Sequence, residues 1–312
     1  MSRTRRTRPR PNRRRGALGG VFMWVSLVLG LTLVVASSAV AIRGLSGLPV
    51  LPGSPLGKGT EQSARTSTRT ATRDLPAPAL DGTDFDPEWI ISDEVFHDTS
   101  TMDEATIADF IALVGKGCQD SSKGVACLSR YRVDTAGFAA DQYCPGGFEG
   151  AAGDSAAAII HKSAQGCGIN PQVLLTFLQK EQGLLTASGS KLTARRYEAA
   201  MGYGCPDDAP CDARYQGLAA QVWYAARQFR MYEAHPEDYW LRVQVPTPVK
   251  YAHAESCGAR ELTVVNQATV NLYLYTPYQP DEAALNGGST SCSSWGNLNV
   301  HSIFRAWFGP PR

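Results

Sequence analysis

Apolar residues recur at helical spacing through the segment Ile169-Asn-Pro-Gln-Val-Leu-Leu-Thr-Phe-Leu-Gln-Lys-Glu-Gln-Gly-Leu-Leu185. Asn170 is a good N-cap and Pro171 a good first helical residue, so the pattern predicts a helix from about Pro171 to Leu185. At 3.6 residues per turn Leu174, Phe177, Leu178 and Leu185 share one face, and Glu181 falls on it with them. Just upstream, Asp154 is placed to cap an Ala-rich helix that ends at Cys167-Gly168, so the two helices should form a tight pair. Thr101 and Glu104 have the spacing of a capping box ahead of a helix through Leu113. Asp212 heads another long pattern to about Tyr232, with Leu218, Val222, Trp223, Ala226 and Phe229 on its apolar side. Residues 240–245 and 261–265 read as two short strands, a hairpin inserted among helices. Residues 264–275 fit strand or helix equally, and 299–308 predict a closing helix. These elements amount to a mainly α fold with a small β-hairpin insertion.

The N-terminal pattern is of a different kind. Residues 17–42 are apolar throughout and carry no charge, and residues 3–15 before them hold eight Arg. That length suits a membrane span, while Ala39-Val-Ala41 offers a small-residue cleavage site. Residues 1–16 are therefore expected to be a basic cytoplasmic n-region, and 17–42 a signal peptide or a transmembrane anchor. The Arg cluster sets the orientation by the positive-inside rule, leaving the rest of the chain outside the cytoplasm, secreted or anchored to the plasma membrane. A nucleic-acid-binding arm is the competing explanation, but a charge block set against so long an apolar stretch has the layout of an export signal. Residues 43–84, rich in Gly, Pro, Ser, Thr and Arg, read as a flexible linker. Residues 85–312 are then left as the extracellular domain, long enough for a sizeable core.

Charge narrows the partners. Twelve Arg and one Lys precede residue 74 against the single Glu61, so 17 of the 30 basic and 28 of the 29 acidic residues lie from residue 74 onward. Residues 74–312 thus carry a net charge of about −11, which argues against nucleic acid or another polyanion and is compatible with a neutral glycan. All eight Cys (Cys118, Cys127, Cys144, Cys167, Cys205, Cys211, Cys257 and Cys292) fall in this part. An even number in an oxidising compartment implies disulfides, with sequence-near pairs preferred: 118 with 127, 144 with 167, 205 with 211, 257 with 292. There is no CxxC or HExxH spacing, so no metal site is expected, and nothing implies a cofactor. His97, His161, His235, His253 and His301 include no i, i+4 pair, which gives little support to a Ser/His/Asp or Cys/His hydrolase.

The chemistry therefore centres on Glu181. A lone carboxylate in an apolar wall is costly to ionise, and a protonated carboxyl group there is what general acid catalysis on a glycosidic oxygen requires. A structural Glu neutralised by an Arg or by backbone donors is the alternative. Downstream, the turn Gly202-Tyr203-Gly204 lets backbone approach a ligand closely and offers Tyr203 as a stacking face, although a structural turn pinned by Cys205 explains the glycines equally well. Tyr273, Tyr275 and Tyr278 stand beside a rigid proline turn, a wall that would suit sugar rings, with core packing the preferred account of Tyr273.

In this order, the helix with its Lys-Glu-x-Gly ending, the Met201-Gly-Tyr-Gly loop and the Tyr275-Thr-Pro-Tyr segment resemble the lysozyme-like superfamily of soluble lytic transglycosylases and goose-type lysozymes. Over residues 90–308 the chain is similar to secreted cell-wall proteins of high-GC Gram-positive bacteria. The phrases that carry this likeness are Ile91-Ser-Asp-Glu-Val-Phe96, Gln179-Lys-Glu-Gln-Gly183, Ala200-Met-Gly-Tyr-Gly-Cys-Pro-Asp207 and Tyr275-Thr-Pro-Tyr-Gln-Pro280. Two departures stand out: Gln182 follows the glutamate where the transglycosylases most often have Ser, and Met201-Gly-Tyr-Gly replaces Gly-Leu-Met-Gln.

The resemblance implies a lysozyme-like domain that cleaves the β-1,4 bond between N-acetylmuramic acid and N-acetylglucosamine in peptidoglycan. Glu181 would be the catalytic acid, with Gln182, Met201, Gly202, Tyr203, Gly204, Tyr275 and Tyr278 as substrate contacts. A transglycosylase closes a 1,6-anhydro ring and needs no second carboxylate, whereas a hydrolase usually needs one; Glu198, Asp207 and Asp208 are the candidates. A non-catalytic wall-binding or adhesion module that retains the fold is the second reading, and a scaffold for envelope machinery the third.

Overall fold

The computed structural model describes Leu75 and residues 78–206 and 209–312. The basic run, the apolar segment 17–42, nearly all of the linker up to residue 77, and Asp207 and Asp208 lie outside the described residues. Among the described residues the chain forms nine α-helices and two small two-stranded sheets. None of these helices is long and apolar enough to cross a membrane.

In chain order the elements are α1 (Asp93–His97), α2 (Glu104–Val114), β1 (Arg132–Val133), β2 (Asp154–Ser155), α3 (Ala156–Cys167), α4 (Pro171–Gln182) and α5 (Ala194–Glu198). They continue with α6 (Leu218–Ala234), β3 (Thr247–Lys250), β4 (Ala259–Leu262), α7 (Gln267–Tyr275), α8 (Glu282–Leu285) and α9 (Gly296–Phe308). Helix α3 packs against α2, α4 and α6, and α4 packs against α9. One continuous core results, in which Phe177 of α4 meets Phe229 of α6 edge to face and Phe229 meets Phe96 of α1.

Helix α4 starts where expected: Pro171 is its first residue, and the fully buried Asn170 accepts the Gln172 N–H at 2.8 Å. It stops three residues early, because Gly183 takes a left-handed conformation (φ 57°), its N–H returning to the Gln179 carbonyl and the Leu184 N–H to the Leu178 carbonyl. Leu184 and Leu185 are buried all the same. Gly168 ends α3 in the same way, as its position predicts (φ 68°).

Two expected caps are taken by neighbouring residues, and a third serves a shorter turn. Asp103, directly ahead of Glu104, accepts the Thr106 N–H at 2.8 Å, while Thr101 donates to Asn170 Oδ1 at 2.7 Å. Ser155 caps α3 through the Ala158 N–H, leaving Asp154 to pair with Lys162 at 2.8 Å. Asp212 caps only a short 3-10 turn (Ala213–Tyr215), and α6 begins after Gly217, whose φ of 96° redirects the chain. In the first two cases a side chain one or two residues away reaches the open N–H groups, a choice that spacing alone leaves undecided, whereas Gly217 offers no side-chain cap at all.

The hairpin is present but displaced. The strands are Thr247–Lys250 and Ala259–Leu262, antiparallel, with Thr247 opposite Leu262 and Lys250 opposite Ala259. Residues 240–245 are irregular, and 264–275 resolve into the helix α7. The second sheet, β1 with β2, was not anticipated. The closing helix begins at Gly296, three residues earlier than expected. All four disulfides join the sequence-near pairs: Cys118–Cys127, Cys144–Cys167, Cys205–Cys211 and Cys257–Cys292.

Candidate functional site

The last turn of α4 presents two adjacent charges. Glu181 is not a lone acid: its Oε1 accepts a hydrogen bond from Lys180 Nζ, and of the two side chains the lysine is the deeper, 7% exposed against 22% for the carboxylate. Lys180 is held from three sides. Its Nζ also donates to Thr276 Oγ1 at 3.0 Å and lies 5.3 Å from the centre of the Phe177 ring. A neutralising partner was expected to be Arg or backbone; it is the preceding lysine, anchored by the Thr of the Tyr275-Thr-Pro-Tyr segment. A buried ammonium needs such a partner, since an unpaired one would cost several kcal/mol.

With Oε1 occupied, Oε2 faces the Met201-Gly-Tyr-Gly loop. A Cβ on Gly202 would lie 3.3 Å from Glu181 Oε2, and Gly202 has φ +74°. Both the backbone conformation and the close approach thus call for glycine at this position. The loop itself is fastened by a residue not anticipated as functional. Gln221, fully buried on α6, accepts the Met201 and Tyr203 N–H groups, each at 3.1 Å, and donates to the Tyr203 and Tyr215 carbonyls at 2.8 and 2.6 Å. All the polar capacity of its amide group goes into the backbone, three bonds to the loop beside the carboxylate and one to the 3-10 turn at Tyr215. The available signal was a Gln three residues after Leu218 on an otherwise apolar helix face.

Tyr275, at the end of α7, completes the frame. Its hydroxyl donates to the Met201 carbonyl at 2.8 Å, and its ring meets Phe177 edge to face. Burial first, and then the charge of Glu181, push its pKa well above that of an ordinary tyrosine. Met201 itself is fully buried, so its side chain is core and only its backbone serves the site.

A cleft of about 410 Å³ opens at this loop, lined by Gly202, Tyr203, Gly204, Gln228, Tyr232, Tyr239, Trp240, Leu274 and Tyr275. Glu181 is not in the lining itself but lies directly behind Gly202. Burial raises the pKa of Tyr203, Tyr232 and Tyr239 as well, so the wall presents neutral hydroxyls at physiological pH.

The structure thus gathers Glu181, Gly202, Tyr203, Gly204 and Tyr275 into one place. Gln182 and Tyr278 are half-buried and lie outside the cleft lining, and Tyr273 is fully buried in the core. Glu198 ends α5, where its carbonyl accepts the Gly217 N–H at 3.2 Å. Lys180, Gln221, Gln228, Tyr232, Tyr239, Trp240 and Thr276 join the site without having been singled out in the sequence. No protein-family model matches this chain, and no curated protein or solved structure matches it either.

Proposed function

We propose that this protein cleaves the glycan strand of peptidoglycan at the β-1,4 bond between N-acetylmuramic acid and N-acetylglucosamine, on a helical body of lysozyme-like type exported beyond the cytoplasm. The observation that carries the reading is the Glu181 carboxylate, anchored through Oε1 by Lys180 and turning Oε2 toward Gly202 at the edge of an aromatic cleft. Four disulfides suit an oxidising compartment.

In this mechanism Oε2 delivers a proton to the glycosidic oxygen as the bond to the anomeric carbon breaks. The resulting carboxylate then takes the proton of the muramoyl 6-hydroxyl as that oxygen closes on the anomeric carbon. One carboxyl group serves both steps, and the product ends in a 1,6-anhydro ring. Lys180 keeps the second oxygen fixed, so the reacting one needs no reorientation between steps.

Glu181→Gln in the full-length protein retains an acceptor for Lys180 and should fold normally. General acid catalysis is worth about 10²–10⁴-fold, so muropeptide release should fall by about that factor while wall binding persists. Mass spectrometry of the products distinguishes anhydro from reducing ends. The Lys180 pair also gives Glu181 a purely structural use, which favours as second reading a wall-binding module without turnover. Binding to a panel of walls with no muropeptide release by the unaltered protein would establish that alternative and sink the enzyme reading.

A further inference from the structure

Six large apolar side chains stand exposed among the described residues: Leu80, Trp89, Leu113, Trp240, Val245 and Val265. Of these only Trp240, 46% exposed, lines the cleft that Gly202, Tyr203 and Gly204 border. It stands in the bend after the 3-10 turn Pro236–Asp238 that follows α6. Its tyrosine neighbours are locked in ring pairs: Tyr239 against Tyr232 with centroids 4.8 Å apart, and Tyr203 against Tyr215 at 4.9 Å. No ring pairs with Trp240 among the described residues, so its indole remains available to something from outside.

The rest of the lining states what that something should be. It includes no Lys, Arg, His, Asp or Glu, so a charged ligand would find no counter-ion there. Gln228 sits among the tyrosines, its Oε1 accepting from the Tyr203 hydroxyl at 3.3 Å. Its amide donors and the tyrosine hydroxyls suit a ligand bearing hydroxyl or acetamido groups. A flat apolar face combined with equatorial polar groups describes a neutral hexopyranose, and the cavity volume falls within the range of small-molecule sites.

We infer that Trp240 is the stacking platform of a glycan subsite that takes uncharged, β-linked N-acetylhexosamine units by one ring face, with Gln228 as the polar contact. Trp240 would then be a specificity-determining residue whose contribution is independent of Glu181. The inference rests on the proposed glycan cleavage only for the direction in which the strand continues past Gly202.

The test is calorimetric titration of the full-length protein in detergent with a β-1,4-linked N-acetylglucosamine tetramer, and separately with a sulfated oligosaccharide of the same length. The tetramer should bind and the sulfated probe should not. Trp240→Ala should weaken tetramer binding about tenfold or more, and Trp240→Phe by only about threefold, since a smaller ring keeps a stacking face. Glu181→Gln should bind as the unaltered protein does. Equal affinity in Trp240→Ala, no binding of the tetramer by the unaltered protein, or preference for the sulfated probe would each overturn the inference. Tetramer binding through Trp240 without cleavage of any wall would leave it standing and remove the catalytic reading. Cleavage with an unchanged KM in Trp240→Ala would do the reverse.

Discussion

At the scale of single residues, the site depends on two groups whose importance their own side chains do not advertise. Gln221 is a neutral amide on a buried helix face, yet it makes four hydrogen bonds to the backbone of the 201–215 region. Gln221→Leu keeps the volume and strands those partners, so unfolding in urea should show a loss of about 2–3 kcal/mol. A change under about 0.5 kcal/mol, within the usual range for surface substitutions, would mean that the loop is held by other contacts. Gly202 is the second. Its φ of +74° strains any other residue, and a methyl group there would sit 3.3 Å from Glu181 Oε2, pushing the carboxylate aside. Gly202→Ala should cost about 1 kcal/mol in stability from the backbone alone. It should also lower muropeptide release at least tenfold, about 1.4 kcal/mol of transition-state stabilisation, by displacing the carboxylate. Retained activity in a folded Gly202→Ala protein would argue that Oε2 is not the reacting atom. Placing Glu181 on the core-facing stripe of α4 needed only periodicity. Its partner Lys180 was beyond such reasoning, because the burial of a lysine depends on Thr276, ninety-six residues away.

At the scale of elements, α1, α6 and α7 are joined by a half-buried polar knot. Glu233 of α6 accepts from His97 Nε2 at 2.9 Å, from Asn271 of α7 at 2.7 Å and from Arg230. His97 Nδ1 donates to the Asp93 carbonyl at 2.8 Å, so both ring nitrogens face acceptors, the arrangement suited to the imidazolium form. Burial opposes the charge on His97, but the hydrogen bond and charge of Glu233, with the Asp93 carbonyl, outweigh it, and the pKa is raised above 6.5. A raised folded-state pKa means that protonation favours the native state. The contribution is complete below about 6.5, the unfolded value, and is lost as pH rises through the folded value. The melting temperature of the protein should therefore fall more steeply across that window than that of His97→Gln. Parallel curves for the two would show that the knot does not titrate. The helices themselves were readable from apolar periodicity, but their caps were not. Asp103 and Ser155 displaced Thr101 and Asp154 because a cap is chosen by local backbone geometry, which neighbouring polar residues contest on nearly equal terms.

For the whole molecule, four cross-links staple segments that would otherwise be loops. The Cys257–Cys292 bond closes 35 residues and ties the turn between β3 and β4 to the approach of α9. Loop-closure entropy places its contribution at about 3–4 kcal/mol, against about 2 kcal/mol for Cys205–Cys211, which closes only 6. Replacing both members of each pair by Ser should reproduce that order in denaturant midpoints. A reversed order would mean that native contacts, rather than chain entropy, set the effect. The acidic balance of residues 74–312 and the cleft lining without charged side chains agree with each other: neither offers a polyanion a binding surface.

The sequence by itself determined the class of the fold, the pairing of the cysteines and the position of one acid on a buried helix face. Each of these follows from local information: periodicity for the helices, short separations for the disulfides, a single charge out of pattern for Glu181. Only the tertiary structure decided what surrounds that acid. Lys180 became its partner through Thr276, Gly202 came to lie against Oε2 through Gln221, and Trp240, the first residue of an expected strand, became with Tyr239 the wall of a cleft. Those relations join residues about 20 to 100 positions apart. No pattern within one element carries them, because they arise when separate helices are packed into a common core.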